Sequence, residues 1–172
     1  MEHPQKNALH TTFRYEVTIA DRSHVAQIIS STGFFRADEI EIAVELVDER
    51  LAKSNASGYH FVFIEIGDSA AGYVCYGPIA CTLGSFDLYW IAVAPQFQRL
   101  GLGQRLLIES ERLIAEQGGR QIYIETSSKP QYAPTRGFYA RCGYHIAAVL
   151  SDFYELGDDK VVWQKIQPLN TN

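Results

Sequence analysis

The chain of 172 residues has room for one domain with a substantial core and not for two ordinary ones. Hydrophobic residues at 47% against charged residues at 20% exclude a disordered or low-complexity protein. With 15 Lys+Arg against 20 Asp+Glu, a formal net charge of -5, no basic surface is available to neutralise a run of nucleic-acid phosphates.

Residues 1–14 read as a flexible N-terminal end, and a single domain is expected over 15–168. Tyr15 to Ile19 reads as a first strand. Asp21 is placed to cap a helix whose Val25, Ile28 and Ile29 share one face, and Gly33 ends it. A second helix runs from Ala37 to about Ser54, because Ile40, Val44, Val47 and Leu51 recur at helical spacing, and its polar side is acidic. Tyr59–Ile66 and Ala71–Tyr76, joined by Gly67-Asp68-Ser69, form a hairpin of aromatic and β-branched residues. Beyond the Gly77-Pro78 break, Phe86–Val93 is a third apolar run, stopped by Pro95.

From Gly101 to about Gln117 the residues Leu102, Leu106, Leu107, Leu113 and Ile114 mark a helix that Gly118-Gly119 closes. Gln121–Thr126 is a buried strand. A loop with Pro130 and Pro134 leads into a short helix ending at Cys142, followed by strand Tyr144–Val149, the turn Gly157-Asp158-Asp159 and a final strand Lys160–Ile166. Seven strands and four helices in this order predict an α/β fold with a mixed sheet. Cys75, Cys81 and Cys142 are odd in number and lack CxxC spacing, so neither a disulfide framework nor a zinc knuckle can be written. Reduced thiols and a cytoplasmic location are expected. The start Met-Glu-His-Pro-Gln-Lys-Asn lacks the pattern of a secretory leader, no apolar run has membrane-spanning length, and the histidines lack metal-ligand spacing. No metal, membrane or nucleic-acid partner is predicted.

The most informative stretch is Ile91-Ala92-Val93-Ala94-Pro95-Gln96-Phe97-Gln98-Arg99-Leu100-Gly101-Leu102-Gly103, a strand turning into a helix. Gly101 and Gly103 remove side chains where backbone must approach a ligand, and the helix start offers unpaired N–H groups at its positive end. A phosphate or pyrophosphate suits that geometry. GxGxxG fails at Leu106, and a P-loop fails at Gly103-Gln104-Arg105.

Here the chain resembles the GNAT superfamily of acyl-CoA-dependent N-acyltransferases. Gln98, Gly101 and Gly103 meet its Gln/Arg-x-x-Gly-x-Gly/Ala signature, and Phe138-Tyr139-Ala140-Arg141-Cys142-Gly143-Tyr144 looks like its Phe-Tyr-x-x-x-Gly-Phe/Tyr element. The resemblance implies a GNAT-like, mostly antiparallel sheet of about seven strands with helices on both faces. It implies acetyl-CoA as co-substrate, lying in a splay between Phe86–Val93 and Gln121–Thr126. Its pyrophosphate would lie on the amides of Gln98, Arg99, Leu100, Gly101, Leu102, Gly103 and Gln104, and its pantetheine arm on the backbone of Ile91 and Val93. Arg99 is a candidate charged phosphate contact.

Transfer to nitrogen needs an uncharged amine, so a proton must be removed first. Asp87, four residues before Ile91 where some members carry a catalytic Glu, and Glu125, at the end of Gln121–Thr126, are the two candidate bases. Tyr139 occupies the family's usual general-acid position. Cys142 is set aside as a nucleophile, since no histidine is tied to it by sequence. Many members carry Asn where this chain has Tyr132, so one contact of the family is in doubt.

The expected activity is transfer of an acetyl group to a primary amine, small or peptidyl, by direct attack; a non-catalytic acyl-CoA sensor is the alternative. The width near Trp90 and Phe138 sets the acyl length. A homodimer is left open. Acceptor walls are expected from Thr32–Asp38 and Ser151–Asp159, where Asp38, Glu39, Asp152, Glu155, Asp158 and Asp159 face Arg36 alone and favour a cationic acceptor.

Overall fold

The computed structural model describes residues 10–168. Strand β1 (Thr11–Arg14) is followed by helices α1 (Asp21–Thr32) and α2 (Ala37–Lys53), then by strands β2 (His60–Ile66), β3 (Ser69–Pro78) and β4 (Ser85–Val93). Helix α3 (Leu102–Glu116), strand β5 (Gln121–Ser127), helix α4 (Ala133–Arg141) and strands β6 (His145–Glu155) and β7 (Asp158–Ile166) complete it. The seven strands lie in the order β1-β2-β3-β4-β5-β7-β6. Only β4 and β5 pair in parallel; the other neighbours are antiparallel. No helix among the described residues is long and apolar enough to cross a membrane.

Side-chain alternation in β2 and β3 divides the interior into two cores. Phe61, Phe63, Tyr73 and Cys75 turn to one face, where Val25, Ile28 and Ile29 of α1 and Ala43 and Val47 of α2 cover them. Val62, Ile64, Val74 and Tyr76 turn to the other, under Leu102, Leu106, Leu107 and Ile114 of α3. Both faces of these central strands are covered, which is why their sequences read as unbroken apolar runs rather than alternating ones. At the far edge β6 is exposed along its whole length.

Two expectations about the chain start are corrected. The first strand is Thr11–Arg14 rather than Tyr15–Ile19, so the expected loose end 1–14 gives up its last four residues to β1; residues 1–9 lie outside the described residues. Asp21 does not cap α1, whose N-cap is Ala20 without a side-chain bond. Instead its carboxylate, 0% exposed, turns back along the chain. It accepts both guanidinium N–H groups of Arg14 (2.8 and 2.9 Å), the N–H of Thr18 (2.7 Å) and a contact from His24 (3.0 Å). Arg14 also donates to Glu65 on β2 at 2.6 Å and covers the Phe63 ring. This cluster ends β1 at Arg14 and pins the start of α1 to the sheet.

Burial alone would raise the Asp21 pKa, but the bonds from Arg14, Thr18 and His24 outweigh it and hold the carboxyl below its ordinary range. A depressed carboxyl stabilises the fold above its unfolded pKa of about 3.9 and loses that contribution as pH falls through the folded value. Asp21→Asn should therefore cost about 3 kcal/mol at neutral pH. The deficit relative to wild type should shrink in denaturant melts repeated toward acid pH.

Candidate active site

Strands β4 and β5 pair over three residues only, Ser85–Asp87 with Gln121–Tyr123, and then separate. A bulge on β4, where Cys75 faces Trp90 and Tyr76 faces Leu88, leaves Tyr89 as an extra residue and bends the strand at that point. Past the bulge Ala94 donates its N–H to Ala71 on β3 at 2.9 Å. Backbone groups alternate sides along a strand, so Ile91 and Val93 turn their N–H and C=O into the gap. The side-chain amide of Gln98 donates to the Val93 carbonyl at 3.1 Å, from the side of the gap.

The strand exits through a single 3-10 turn, Pro95–Phe97, whose closing N–H groups bond: Phe97 to Ala94 at 2.8 Å and Gln98 to Pro95 at 3.2 Å. Arg105 is the next bonded amide, donating to Gly101 at 3.1 Å. Between them the N–H groups of Arg99, Leu100, Gly101, Leu102, Gly103 and Gln104 have no acceptor among the described residues. Arg99 (φ 63°) and Gly101 (φ 77°) are both left-handed, which alternates the chain direction and gathers successive amides into a concave anion nest. The first turn of α3 contains no acidic residue.

A cavity of about 800 Å³ runs over this nest, bordered also by Phe138, Arg141 and Cys142, with no carboxylate among its lining residues. A Cβ added at Gly103 would stand 3.7 Å from the Phe138 ring and 3.9 Å from Val93, ordinary contact that the fold tolerates but that occupies the cavity. A second cavity of about 450 Å³ lies beyond it, lined by Phe34, Trp90, Glu125, Tyr132, Tyr154 and Asp158 among others. The two share Phe34, Ile91, Ala92, Val93, Gln98, Thr135 and Tyr139, so they meet where the backbone of β4 is unpaired.

Tyr139, 3% exposed, sits at that junction. Tyr144 and Trp163 fix its ring, with centroids at 5.9 and 6.3 Å. Burial raises its phenol above the ordinary range and keeps it protonated, and its hydroxyl has no hydrogen-bond partner among the described residues. Burial likewise pushes the Cys142 thiol up, which disfavours a thiolate there.

The two candidate carboxylates separate. Glu125 lines the smaller cavity and pairs with Lys160 at 2.6 Å. Asp87 lines neither cavity: it stands at the last paired position of β4, on the face of β5 that carries Tyr123 and Glu125. Tyr132, at the position where the family's Asn is absent, lines the smaller cavity and donates to the Phe34 carbonyl at 3.4 Å. The hydroxyls of Thr126, Ser127 and Ser128 are engaged by Trp163, Asp158 and Asp159, whereas Thr135 borders both cavities. Sequence reasoning missed Arg141 as a lining residue, and it placed Phe34 and Tyr154 within the expected acceptor walls Thr32–Asp38 and Ser151–Asp159 without singling either out. Phe34 carried a signal, since a large aromatic in the loop after a helix-ending glycine stands where binding residues concentrate.

The expectation that Arg36 alone faces the acidic wall is corrected. Lys129 reaches it and pairs with Glu155 and Asp158, and Lys160 neutralises Glu125. Arg36 holds Asp38 at 3.0 Å and Glu39 at 3.8 Å, while Asp152 and Asp159 accept the N–H groups of Gly157 and Asp152. The six carboxylates still outnumber Arg36, Lys129 and Lys160, so the wall keeps a negative charge that lysines distant in sequence reduce by folding onto it.

A family model described as Acetyltransferase (GNAT) family matches residues 26–144. Among solved structures, a protein of Desulfovibrio desulfuricans assigned to the GNAT family is 48% identical, with a TM-score of 0.90 over 91% of this chain and 99% of that one. An aminoglycoside 6'-N-acetyltransferase complexed with coenzyme A is 16% identical, with a TM-score of 0.72 over 91% of this chain and 99% of that one. The ribosomal-protein-S18-alanine N-acetyltransferase of Escherichia coli is 17% identical, with a TM-score of 0.69 over 95% and 99%. No curated protein matches.

Burial, then the neighbouring Glu125, raise the Asp87 pKa, with Lys160 opposing. A raised carboxyl supports the fold below its unfolded pKa of about 3.9, and that support is lost as pH rises through the folded value. Asp87→Asn, which removes the buried charge, should raise the melting temperature at neutral pH. The gain over wild type should vanish near about pH 4 in calorimetric scans.

Proposed function

The chain belongs to the GNAT family of acetyltransferases, and from that premise we propose an acetyl-CoA-dependent N-acetyltransferase in which a bound primary amine attacks directly. The observation that carries the donor half is the run of six amides, Arg99 to Gln104, without internal acceptors over a cavity free of carboxylates. A diphosphate bonds to such a nest, with Arg99 and Arg141 adding charge at the rim. Acetyl-CoA, when bound, supplies an activated acetyl thioester. The backbone of Ile91 and Val93 orients the arm that carries it, and an amide of this stretch stabilises charge developing on the carbonyl oxygen.

Glu125 is the proposed base, because of the two candidate carboxylates it is the one that lines the acceptor cavity, where it can accept a proton from an arriving ammonium. Asp87 acts behind it, as a second negative charge on the same face. Tyr139 is the proposed acid. Its phenol stays protonated, so it gives a proton to the departing sulfur as it receives the one that nitrogen sheds on forming the new C–N bond. The C–N bond forms, the C–S bond breaks, and the products are an amide and the free thiol.

Saturating acetyl-CoA should raise the melting temperature by mass action, more than NADH or ATP. Gly103→Asp puts a carboxylate on the nest and should weaken calorimetric affinity by at least about tenfold with the fold retained. Unchanged affinity in this variant would remove the nest as the donor site.

Tyr139→Phe should lower kcat about 100-fold while leaving acetyl-CoA affinity within about twofold. Glu125→Gln should erase the acidic limb of the pH profile of kcat/KM. Full activity in the first variant would make Tyr139 structural, and a retained limb in the second would move the base to Asp87 or to water.

A further inference from the structure

The acceptor cavity is built from aromatic faces rather than from free charge, and we propose that the amine it takes is a small monoamine on an aromatic or flat apolar body, not a polycation. The proposal deepens the acetyltransferase reading and rests on it.

Two observations carry it. Phe34 and Tyr132, brought together from the α1–α2 connection and the start of α4, stand 5.9 Å apart between ring centroids. Trp90 on β4 is held edge-on by Phe35 at 5.1 Å. Tyr154 reaches the same cavity from β6. Phe34 is 43% exposed and Tyr154 46% exposed, so aromatic surface faces solvent at the mouth of a cavity of about 450 Å³. That volume holds a small molecule, and covering those rings with a flat apolar ligand releases their hydration. The faces attract one passing ammonium by their quadrupoles.

Every carboxylate of the cavity, meanwhile, has a cation within 4 Å, with Arg36 shared with Asp38 and Lys129 with Glu155. Glu39 accepts the Arg36 N–H at 2.8 Å and lies 3.8 Å from its guanidinium. Glu125 is held by Lys160 at 2.6 Å, and Lys160 in turn sits 3.7 Å over the Phe153 ring. Asp158 accepts from Ser127 Oγ at 2.6 Å and the Ser128 N–H at 3.2 Å, with Lys129 at 3.8 Å. A second or third ammonium on the acceptor would find no unpaired partner and would meet Arg36, Lys129 and Lys160 as like charges. Such an acceptor is selected against while an aromatic one is selected for.

The test measures thiol release from saturating acetyl-CoA by the full chain with 2-phenylethylamine, ethylamine, which lacks the ring, and spermidine, a polycation. The value of kcat/KM for 2-phenylethylamine should exceed the other two by at least about thirtyfold, the scale on which a filled apolar pocket discriminates. It should change less than about twofold between 0.1 and 1 M salt, over which charge steering is screened. Trp90→Ala and Tyr154→Ala should each cut the 2-phenylethylamine to ethylamine ratio at least about fivefold. Tyr154 lies at the cavity mouth, so its variant reads the pocket even where loss of Trp90 unfolds the chain. Spermidine as the best acceptor with rates falling in salt, or a ratio untouched by Tyr154→Ala, overturns the proposal. So does stabilisation by acetyl-CoA with no amine of the three releasing thiol, while the donor reading then stands. Absence of any thermal shift with acetyl-CoA overturns the acetyltransferase reading itself.

Discussion

Two parallel strands that separate after three residues leave N–H and C=O groups of both facing a gap inside the protein, and each such group without a partner costs about 1–3 kcal/mol. The fold does not repair that loss. The bulge at Tyr89 enforces the separation, and the neighbours that would close it are used elsewhere: β4 bonds β3 on its other edge, and β5 bonds β7. Gln98 satisfies one lone pair of the Val93 carbonyl. The rest of the opening is wide enough for cavities on both sides of it, and their shared boundary is the unpaired backbone itself. A substrate that adds its own amides and carbonyls to this edge completes a sheet that the protein leaves unfinished.

The nest depends on the same arrangement. Arg99 at φ 63° stores on the order of 1–2 kcal/mol of backbone strain, which persists only where its flanks are fixed. On one side the Pro95–Phe97 turn is bonded to the end of β4. On the other Leu102 and Leu106 are buried in the core beneath α3, at 3% and 0% exposure. Six donors are therefore held in place before any ligand arrives, and an anion that binds them pays little for reorganisation.

Local signals explain what the sequence revealed. The Gln98–Gly103 turn is legible because its chemistry is backbone chemistry, and glycine positions and helix starts are written in a few consecutive residues. The β2–β3 hairpin and α3 are legible because their periodicities are strong. Chain contacts from far away explain the misses. Val17 and Ile19 mimic strand alternation, yet Arg14 binding Glu65 and Asp21, 51 and 7 residues along, ends the strand before them. Part of the acidic wall's charge is met by Lys129 and Lys160, whose partners are set by how β6 and β7 fold back on β5. Asp87 and Glu125 are both candidate bases in the sequence, Asp87 because it precedes Ile91 on the same strand, β4. Where β5 leaves that strand decides which carboxylate meets the cavity, and no local pattern encodes that point.

The boundary between the two cavities also divides what evolution can alter cheaply. On the side proposed for the donor the cavity offers main-chain groups, which most substitutions leave in place, and glycines that leave room by having no side chain. On the acceptor side the walls are side chains from three separate segments, the α1–α2 connection, the stretch before α4 and the β6–β7 hairpin. None of the three carries the core: Phe34, Tyr132 and Tyr154 can each change with little loss of buried apolar surface. Tyr139 belongs to both sides, and its ring is locked between Tyr144 and Trp163. The proposed acid is thus bound into the core, while the side chains of the three wall segments are free to change and redefine the amine.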